Sequence, residues 1–136
     1  MPLSPPVISA LTAGILIIMQ MALLYAVVRA RRRDRQSLGD GGKGELLRAI
    51  RRHGNFAENA AIFIAGFALL ELMGADRIWL AALCTAFVLA RIAHIAGLSM
   101  KNTVNVLRVG GTVVTVLVGV TLGIRLIVAA ARFLAM

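Results

Sequence analysis

Four long apolar stretches constrain the fold of this chain more than any other feature of its sequence. They cover Val7–Val28, Phe56–Leu72, Ile78–Leu98 and Val109–Leu134. A helix needs about 20 residues to cross the roughly 30 Å hydrocarbon core of a bilayer, and each stretch approaches or exceeds that length. Hydrophobic residues make up 60% of the chain and charged residues 15%, whereas soluble domains have about 45–50% and about 25%. The sequence therefore predicts an integral membrane protein.

The predicted fold class is an all-α bundle of four transmembrane helices in a single domain, residues 1–136. The expected helices cover about 7–28, 54–72, 78–98 and 104–134. Valine and threonine in the fourth stretch favour a strand by propensity, but four spans cannot close a barrel, and an open strand leaves polar backbone groups in lipid. Small residues recur there at every fourth position, namely Gly111, Thr115, Gly119 and Gly123. This spacing predicts a helix face that packs closely against a neighbour.

Basic residues concentrate in the first connection, the predicted loop 29–53. The nine lysines and arginines of this loop are Arg29, Arg31, Arg32, Arg33, Arg35, Lys43, Arg48, Arg51 and Arg52. Because positive charge marks cytoplasmic loops, the sequence predicts that this loop is cytoplasmic and that both termini lie outside. The net charge of +9 then reflects topology and contact with anionic membrane lipids, and no nucleic-acid partner is expected.

Three other features predict no site. The stretch GDGGKGE at 39–45 lacks both terminal residues of a phosphate-binding loop, so a flexible connector is the better interpretation. The two histidines, His53 and His94, lie on different segments without a third ligand, and no metal site is expected. Cys84 sits inside an apolar run and is interpreted as a packing residue.

Ionisable and amide residues at the edges of the apolar stretches are the strongest functional candidates, because such groups are costly near lipid. Arg51, Asn55 and Glu58 follow one another at i, i+4 and i+7 and therefore share one helix face. In an antiparallel bundle this face lies at the same cytoplasmic level as Arg91, His94 and Arg108. A structural ion pair between Glu58 and Arg91 is one interpretation, and a chemical role for the set is the other.

Three strings in the sequence carry a family resemblance. They are LLRAIRRHGNFAEN at 46–59, RIAHIAGLS at 91–99 and LRVGGT at 107–112. Together with the chain length, the four spans and the long basic first loop, they resemble the MAPEG superfamily, the membrane-associated proteins in eicosanoid and glutathione metabolism. The resemblance covers essentially the whole chain and points to a bacterial-type member of the inner membrane. It implies a homotrimer that binds glutathione, as co-substrate, between neighbouring subunits near the cytoplasmic side.

The resemblance also implies roles for individual residues. Those matching glutathione contacts of the family are Arg29 (or Arg31), Arg51, Asn55, Glu58 and His94. Arg108 corresponds to the arginine that faces the glutathione sulfur, and the resemblance implies that it is the catalytic residue. No metal is implied.

The chain departs from several relatives at positions where they carry tyrosine or a basic residue. Asn59, Leu98 and Thr112 stand in place of tyrosines, and Gly54 in place of a basic residue, while the single tyrosine of the chain is Tyr25. These departures disfavour an eicosanoid-specific synthase.

The expected function is a membrane-embedded glutathione-dependent transferase or peroxidase that acts on apolar electrophiles or lipid hydroperoxides. Glutathione carries two carboxylates, an amine and a thiol. The residue types of Arg51, Asn55 and Glu58 complement its carboxylates and its amine. An arginine near the thiol favours the thiolate that attacks the electrophile. The alternative is a non-catalytic membrane scaffold or lipid-binding protein that retains the fold.

The predicted topology is tested by cysteine labelling at Ser37, which lies in the basic loop. We expect a membrane-impermeant maleimide to leave Ser37→Cys unlabelled in intact cells and to label it after the membrane is opened, because this loop is cytoplasmic. Ala75→Cys, in the connection predicted to lie outside, serves as the positive control. Labelling of Ser37→Cys from outside intact cells would overturn the orientation.

Overall fold

The computed structural model describes residues 5–100, 102 and 104–135, which form four helices. They are α1 (Val7–Asp34), α2 (Gly44–Leu72), α3 (Arg77–Ser99) and α4 (Val106–Leu134). Each contains a window apolar enough, and is long enough, to cross a membrane. No strand occurs among the described residues. The predicted all-α architecture with four spans is thus confirmed.

The helices form an up-and-down bundle in which α2 and α3 occupy the centre. Each of these two contacts the other three helices, whereas α1 and α4 make no contact with each other among the described residues. Aromatic rings fill the interior, where Phe63 and Phe87 stack with their centroids 4.0 Å apart and Phe67 meets Phe87 edge-on at 5.8 Å. These rings therefore join the two central helices.

The first connection is shorter than the sequence predicts, because α1 and α2 both extend beyond the apolar stretches and leave 35–43 between them. Leu46 and Ala49 of the α2 extension are buried against Val27 and Ala30 of α1, which makes a small second core. Apolar runs in the sequence do not reveal these turns, since only one face of each turn carries apolar residues. Residues 29–52, together with residues 99, 100, 102 and 104–108, form what we call the basic end of the bundle.

Side-chain hydrogen bonds fix α1 against α2 at two levels. At the end opposite the basic end, the Glu71 carboxylate accepts hydrogen bonds from the Ile8 and Ser9 backbone N–H groups (3.0 and 2.7 Å) and from the Ser9 hydroxyl (2.6 Å). Glu71 thus caps the first turn of α1, whose free N–H groups favour a negative partner. Nearer the basic end, Gln20 Nε2 lies 2.7 Å from His53 Nε2.

Close approach of α3 and α4 depends on two glycines. A Cβ at Gly111 would lie 2.6 Å from the Ala90 carbonyl oxygen and 2.8 Å from the His94 backbone nitrogen, and a Cβ at Gly97 would lie 2.5 Å from the Arg108 nitrogen. The small residues of the predicted α4 face therefore do not contribute equally to close packing, since a Cβ at Gly123 would have no heavy atom of a neighbouring helix within 4 Å.

Substitution of Gly111 by alanine is expected to lower the free energy of unfolding by about 1–3 kcal/mol, because its methyl group would force two helix backbones apart. The neighbouring change Gly110→Ala is the matched control, since a Cβ there meets nothing within 4 Å. We expect the control to be neutral or to stabilise by up to about 1 kcal/mol through helix propensity. Thermal unfolding in detergent measures both, and equal midpoints would contradict the close packing.

A polar cavity at the basic end

A cavity of about 840 Å³ opens at the basic end of the bundle, and we call it the polar cavity. Its lining comes from all four helices and the first connection, and consists of Arg31, Gly39, Asp40, Leu47, Arg48, Ile50, Arg51, Gly54, Asn55, Glu58, His94, Leu98 and Arg108. Five of the six residues that the sequence analysis assigns to glutathione or to catalysis therefore border one space. The sixth, Arg29, does not.

Helix α2 supplies one wall of the polar cavity with Arg51, Asn55 and Glu58. Their helical spacing places them on a single face, as the sequence predicts. Arg51 and Glu58 are exposed, and Asn55 is half-buried. This wall therefore offers a guanidinium, an amide and a carboxylate to the same space.

The Arg91 guanidinium is buried between α2 and α4, with 2% of the residue exposed. Its Nη2 donates to Asn55 Oδ1 at 2.5 Å, and its Nη1 donates to Thr115 Oγ1 at 3.3 Å. Both acceptors are neutral oxygens. The importance of Asn55 and Thr115 to Arg91 is not evident in the sequence, because it depends on how three helices are rotated relative to one another.

The expected ion pair between Glu58 and Arg91 is not formed. Within the described ranges the ion pairs are those of Arg33 with Asp34 and of Arg48 with Glu45. The reason is geometric, since Arg91 points inward to Asn55 and Glu58 lies three residues further along α2 on the exposed side. The Glu58 carboxylate is consequently presented to the polar cavity.

His94 and Arg108 complete the opposite wall. His94 is buried, and its Nδ1 lies 3.4 Å from Arg91 Nη2. Arg108 stands in the first turn of α4, where its backbone N–H donates to Asn105 Oδ1 at 3.0 Å. Asn105 also donates from Nδ2 to the Gly97 carbonyl at 2.8 Å, so it ties the start of α4 to the end of α3. Sequence reasoning missed Asn105, although an asparagine at this spacing before a helix is a capping signal.

Of the two arginines considered for the first helix, Arg31 borders the polar cavity and Arg29 lies elsewhere. Arg31 Nη1 donates to three carbonyl oxygens of the first connection, those of Gln36, Ser37 and Gly39, at 3.3, 3.1 and 3.0 Å. Arg29 borders a separate cavity beside Tyr25. Which of the two arginines borders the polar cavity depends on the rotation of α1 about its axis, and the sequence alone does not determine this rotation.

The departures from the tyrosine-bearing relatives have different structural consequences. Gly54 and Leu98 line the polar cavity, so small and apolar surface stands there. Asn59 donates from Nδ2 to the Asn55 carbonyl at 2.9 Å, and Thr112 donates to the Arg108 carbonyl at 3.0 Å. The site therefore combines cations, an amide and a carboxylate with an apolar wall, which suits a zwitterionic ligand of net negative charge.

The role of Asn55 in holding Arg91 is tested by two near-isosteric substitutions on the same helix face. Asn55→Leu leaves the buried guanidinium without its nearest acceptor, so we expect the free energy of unfolding to fall by about 1–3 kcal/mol. Glu58→Gln alters an exposed group and is expected to change it by less than about 0.5 kcal/mol. Thermal or denaturant unfolding in detergent distinguishes the two variants. A larger loss of stability in Glu58→Gln than in Asn55→Leu would indicate that Glu58, and not Asn55, is the main partner of Arg91.

Comparisons with known proteins identify the family of this chain. The model of the MAPEG family matches residues 9–128. Inner membrane protein YecN from Escherichia coli K12 is 38% identical over 91 residues, which cover 66% of this chain and 69% of that protein, and YecN from Escherichia coli O6:H1 matches equally well. No solved structure gives a significant match. With four membrane-crossing helices and a match over most of its length, this chain is an integral membrane protein that belongs to the MAPEG family.

Proposed function

We propose that the protein is a glutathione-dependent transferase or peroxidase of the bacterial inner membrane that binds glutathione in the polar cavity. The observation that carries the proposal is the convergence of Arg51, Asn55, Glu58, His94 and Arg108 on one space at the basic end. The basic end faces the cytoplasm in this proposal, where a soluble thiol reaches the polar cavity directly.

The chemistry of glutathione matches the groups that line the polar cavity. The two carboxylates of the tripeptide require guanidinium partners, which Arg51 and Arg31 supply. The ammonium group requires an anionic acceptor, and Glu58 supplies an exposed carboxylate on the same α2 wall of the polar cavity as Arg51. Asn55 has its side-chain oxygen Oδ1 engaged by Arg91, which leaves its side-chain N–H groups to donate to peptide oxygens of the ligand.

Arg108 is the residue assigned to the reacting sulfur. A guanidinium within a few ångströms of a thiol favours the thiolate, and the N-terminal turn of α4 adds partial positive charge in the same direction. The thiolate attacks an apolar electrophile R–X, forms the S–C bond and expels X⁻. With a lipid hydroperoxide, two glutathione molecules are oxidised to the disulfide while the hydroperoxide is reduced to the alcohol and water.

We further propose that three copies assemble, as the family resemblance implies. Glu58 lies about 21 Å along the axis of α2 from Leu72, which places its exposed carboxylate inside a hydrocarbon layer of roughly 30 Å. A carboxylate at that depth requires shielding from lipid. Neighbouring subunits provide this shielding and complete the walls of the polar cavity.

A non-catalytic scaffold or lipid-binding protein is the second candidate. The observation that favours it is the composition of the polar cavity, in which Gly54 and Leu98 stand where several relatives present a basic residue and a tyrosine. A scaffold of this kind retains the helix packing and does not activate a thiol.

Calorimetry of the detergent-purified protein with glutathione, and with S-hexyl glutathione as a product mimic, tests binding. We expect saturable binding of both ligands and a roughly tenfold or greater loss of affinity in Arg51→Gln, because a charged hydrogen bond contributes about 1.5–3 kcal/mol. Arg52→Gln is the matched control, since this adjacent arginine does not border the polar cavity. Absence of heat with either ligand, from a protein with an intact thermal transition, would refute the proposed site.

Replacement of Arg108 by serine distinguishes the hypothesis of an enzyme from that of a scaffold. Glutathione affinity should stay within a few fold, because Arg51, Asn55 and Glu58 hold the peptide. The thiolate fraction near neutral pH should fall roughly 10- to 100-fold, since an adjacent arginine lowers a thiol pKa by about one to two units. Ultraviolet difference spectra of the thiolate band, recorded against pH, measure this fraction. Identical titration curves for wild type and Arg108→Ser would indicate that Arg108 anchors the start of α4 at the membrane surface and takes no part in thiolate formation.

A further inference from the structure

We propose that Asn105 is a positioning residue for Arg108, and that its side-chain amide keeps the Arg108 guanidinium at the polar cavity by joining the start of α4 to the end of α3. Asn105 does not itself border the polar cavity, so it acts through Arg108 and not on the ligand. The inference rests on the proposed function, because it concerns the residue that is assigned there to the reacting sulfur.

The amide of Asn105 caps two helix ends at once. Its oxygen Oδ1 accepts the backbone N–H of Arg108 at 3.0 Å, as the N-cap of α4. Its nitrogen Nδ2 donates to the carbonyl oxygens of Gly97 and Asn102, at 2.8 and 2.7 Å. The last carbonyls of one helix and the first N–H groups of the next lack intrahelical partners, and Asn105 supplies a partner to each. One side chain therefore fixes the end of α3 to the start of α4.

The residue type at position 105 matters because this connection needs a donor and an acceptor on separate atoms. Serine and aspartate cap a helix N-terminus about as well as asparagine does. An ionised aspartate only accepts, however, and a serine hydroxyl carries its donor and its acceptor on one atom that lies nearer the backbone. Asparagine at this position thus provides more than the cap of α4.

Gly97 brings the two backbones into contact beside the Asn105 amide. A Cβ at Gly97 would lie 2.5 Å from the Arg108 backbone nitrogen and 2.8 Å from both Arg108 Cβ and Asn105 Oδ1. The backbone of Arg108 is thus held by contact with Gly97 and by its hydrogen bond to Asn105. Both interactions fix the point from which the Arg108 side chain leaves α4.

The contact between Gly97 and Asn105 lies beside the α3 wall of the polar cavity. His94 precedes Gly97 by three residues and Leu98 follows it directly, and both line the polar cavity together with Arg108. The attraction between a guanidinium and a sulfur anion falls as their separation grows. A guanidinium that moves from about 4 to about 6 Å loses a third of this interaction, which lowers a roughly 10- to 100-fold stabilisation of the thiolate by about two- to fivefold.

Ultraviolet titration of the thiolate band against pH, with glutathione bound, tests the proposal in Asn105→Ala and Asn105→Ser. We expect the thiolate fraction near neutral pH to fall about two- to fivefold in both variants, because both lose the connection to α3. Glutathione affinity, measured by calorimetry, should stay within a few fold, since Arg51 and Glu58 on α2 are unchanged. Asn105→Ser retains a cap on α4, so its thermal midpoint should recover most of the loss seen in Asn105→Ala. The thiolate fraction should not recover with it.

Gly97→Ala disturbs the backbone of Arg108 from the α3 side. Its methyl group would displace the start of α4, so we expect a similar fall of about two- to fivefold in the thiolate fraction. Gly110→Ala is the matched control, because a Cβ there meets nothing within 4 Å and Gly110 does not border the polar cavity. Its titration curve should match that of wild type. If Gly97→Ala fails to fold, the Asn105 variants decide alone.

The outcomes that overturn this inference differ from those that overturn the proposed function. Wild-type thiolate fractions in both Asn105 variants, or recovery of the thiolate together with the thermal midpoint in Asn105→Ser, would show that Asn105 only stabilises the helix end. An equal loss in Gly110→Ala would assign the effect to a general disturbance of α4. Absence of glutathione binding in wild type, or a wild-type titration in Arg108→Ser, would refute the proposed function, and the role of Asn105 with it.

Discussion

Burial of the Arg91 guanidinium inside an apolar bundle governs the arrangement of the basic end. A buried charge requires hydrogen-bond acceptors, since its transfer from water into a low-dielectric interior is costly. The acceptors are the neutral oxygens of Asn55 and Thr115, from α2 and α4. Because no carboxylate of the described chain neutralises Arg91, the surrounding site keeps its positive charge. The same arrangement leaves Glu58 exposed and able to receive a cationic group of a ligand.

The hydrogen bonds of Arg91 also require that three helices approach closely at one level. Gly111 allows the α4 backbone to lie against Ala90 and His94 of α3, where a Cβ would come within 3 Å of backbone atoms. Thr115 follows Gly111 by one turn and donates to the Gly111 carbonyl at 2.7 Å, so its oxygen is fixed where Arg91 reaches it. The small-residue face of α4 therefore serves the polar site as well as helix packing.

The sequence predicts the number and kind of helices well because the thickness of the bilayer imposes a one-dimensional requirement on apolar length. It also predicts that Arg51, Asn55 and Glu58 share a face, since helical spacing is local. It cannot predict whether Arg91 donates to Asn55 or to Glu58. The two residues lie less than one turn apart on α2, and the rotation of the helices about their axes decides which one Arg91 reaches. Arg29 and Arg31 pose the same problem on α1, where two positions separate one cavity from the other.

In the proposed reaction, thiolate stabilisation depends chiefly on Arg108 because tyrosine is absent from the polar cavity. An arginine beside a thiol lowers its pKa by about one to two units, equivalent to about 1.4–2.7 kcal/mol. The N-terminus of α4 contributes only about 0.3–1 kcal/mol. Leu98 strengthens the larger of these effects, since it is buried in α3 and lines the polar cavity together with Arg108. Apolar surface at that position lowers the local dielectric constant and so increases the interaction between the guanidinium and the sulfur anion.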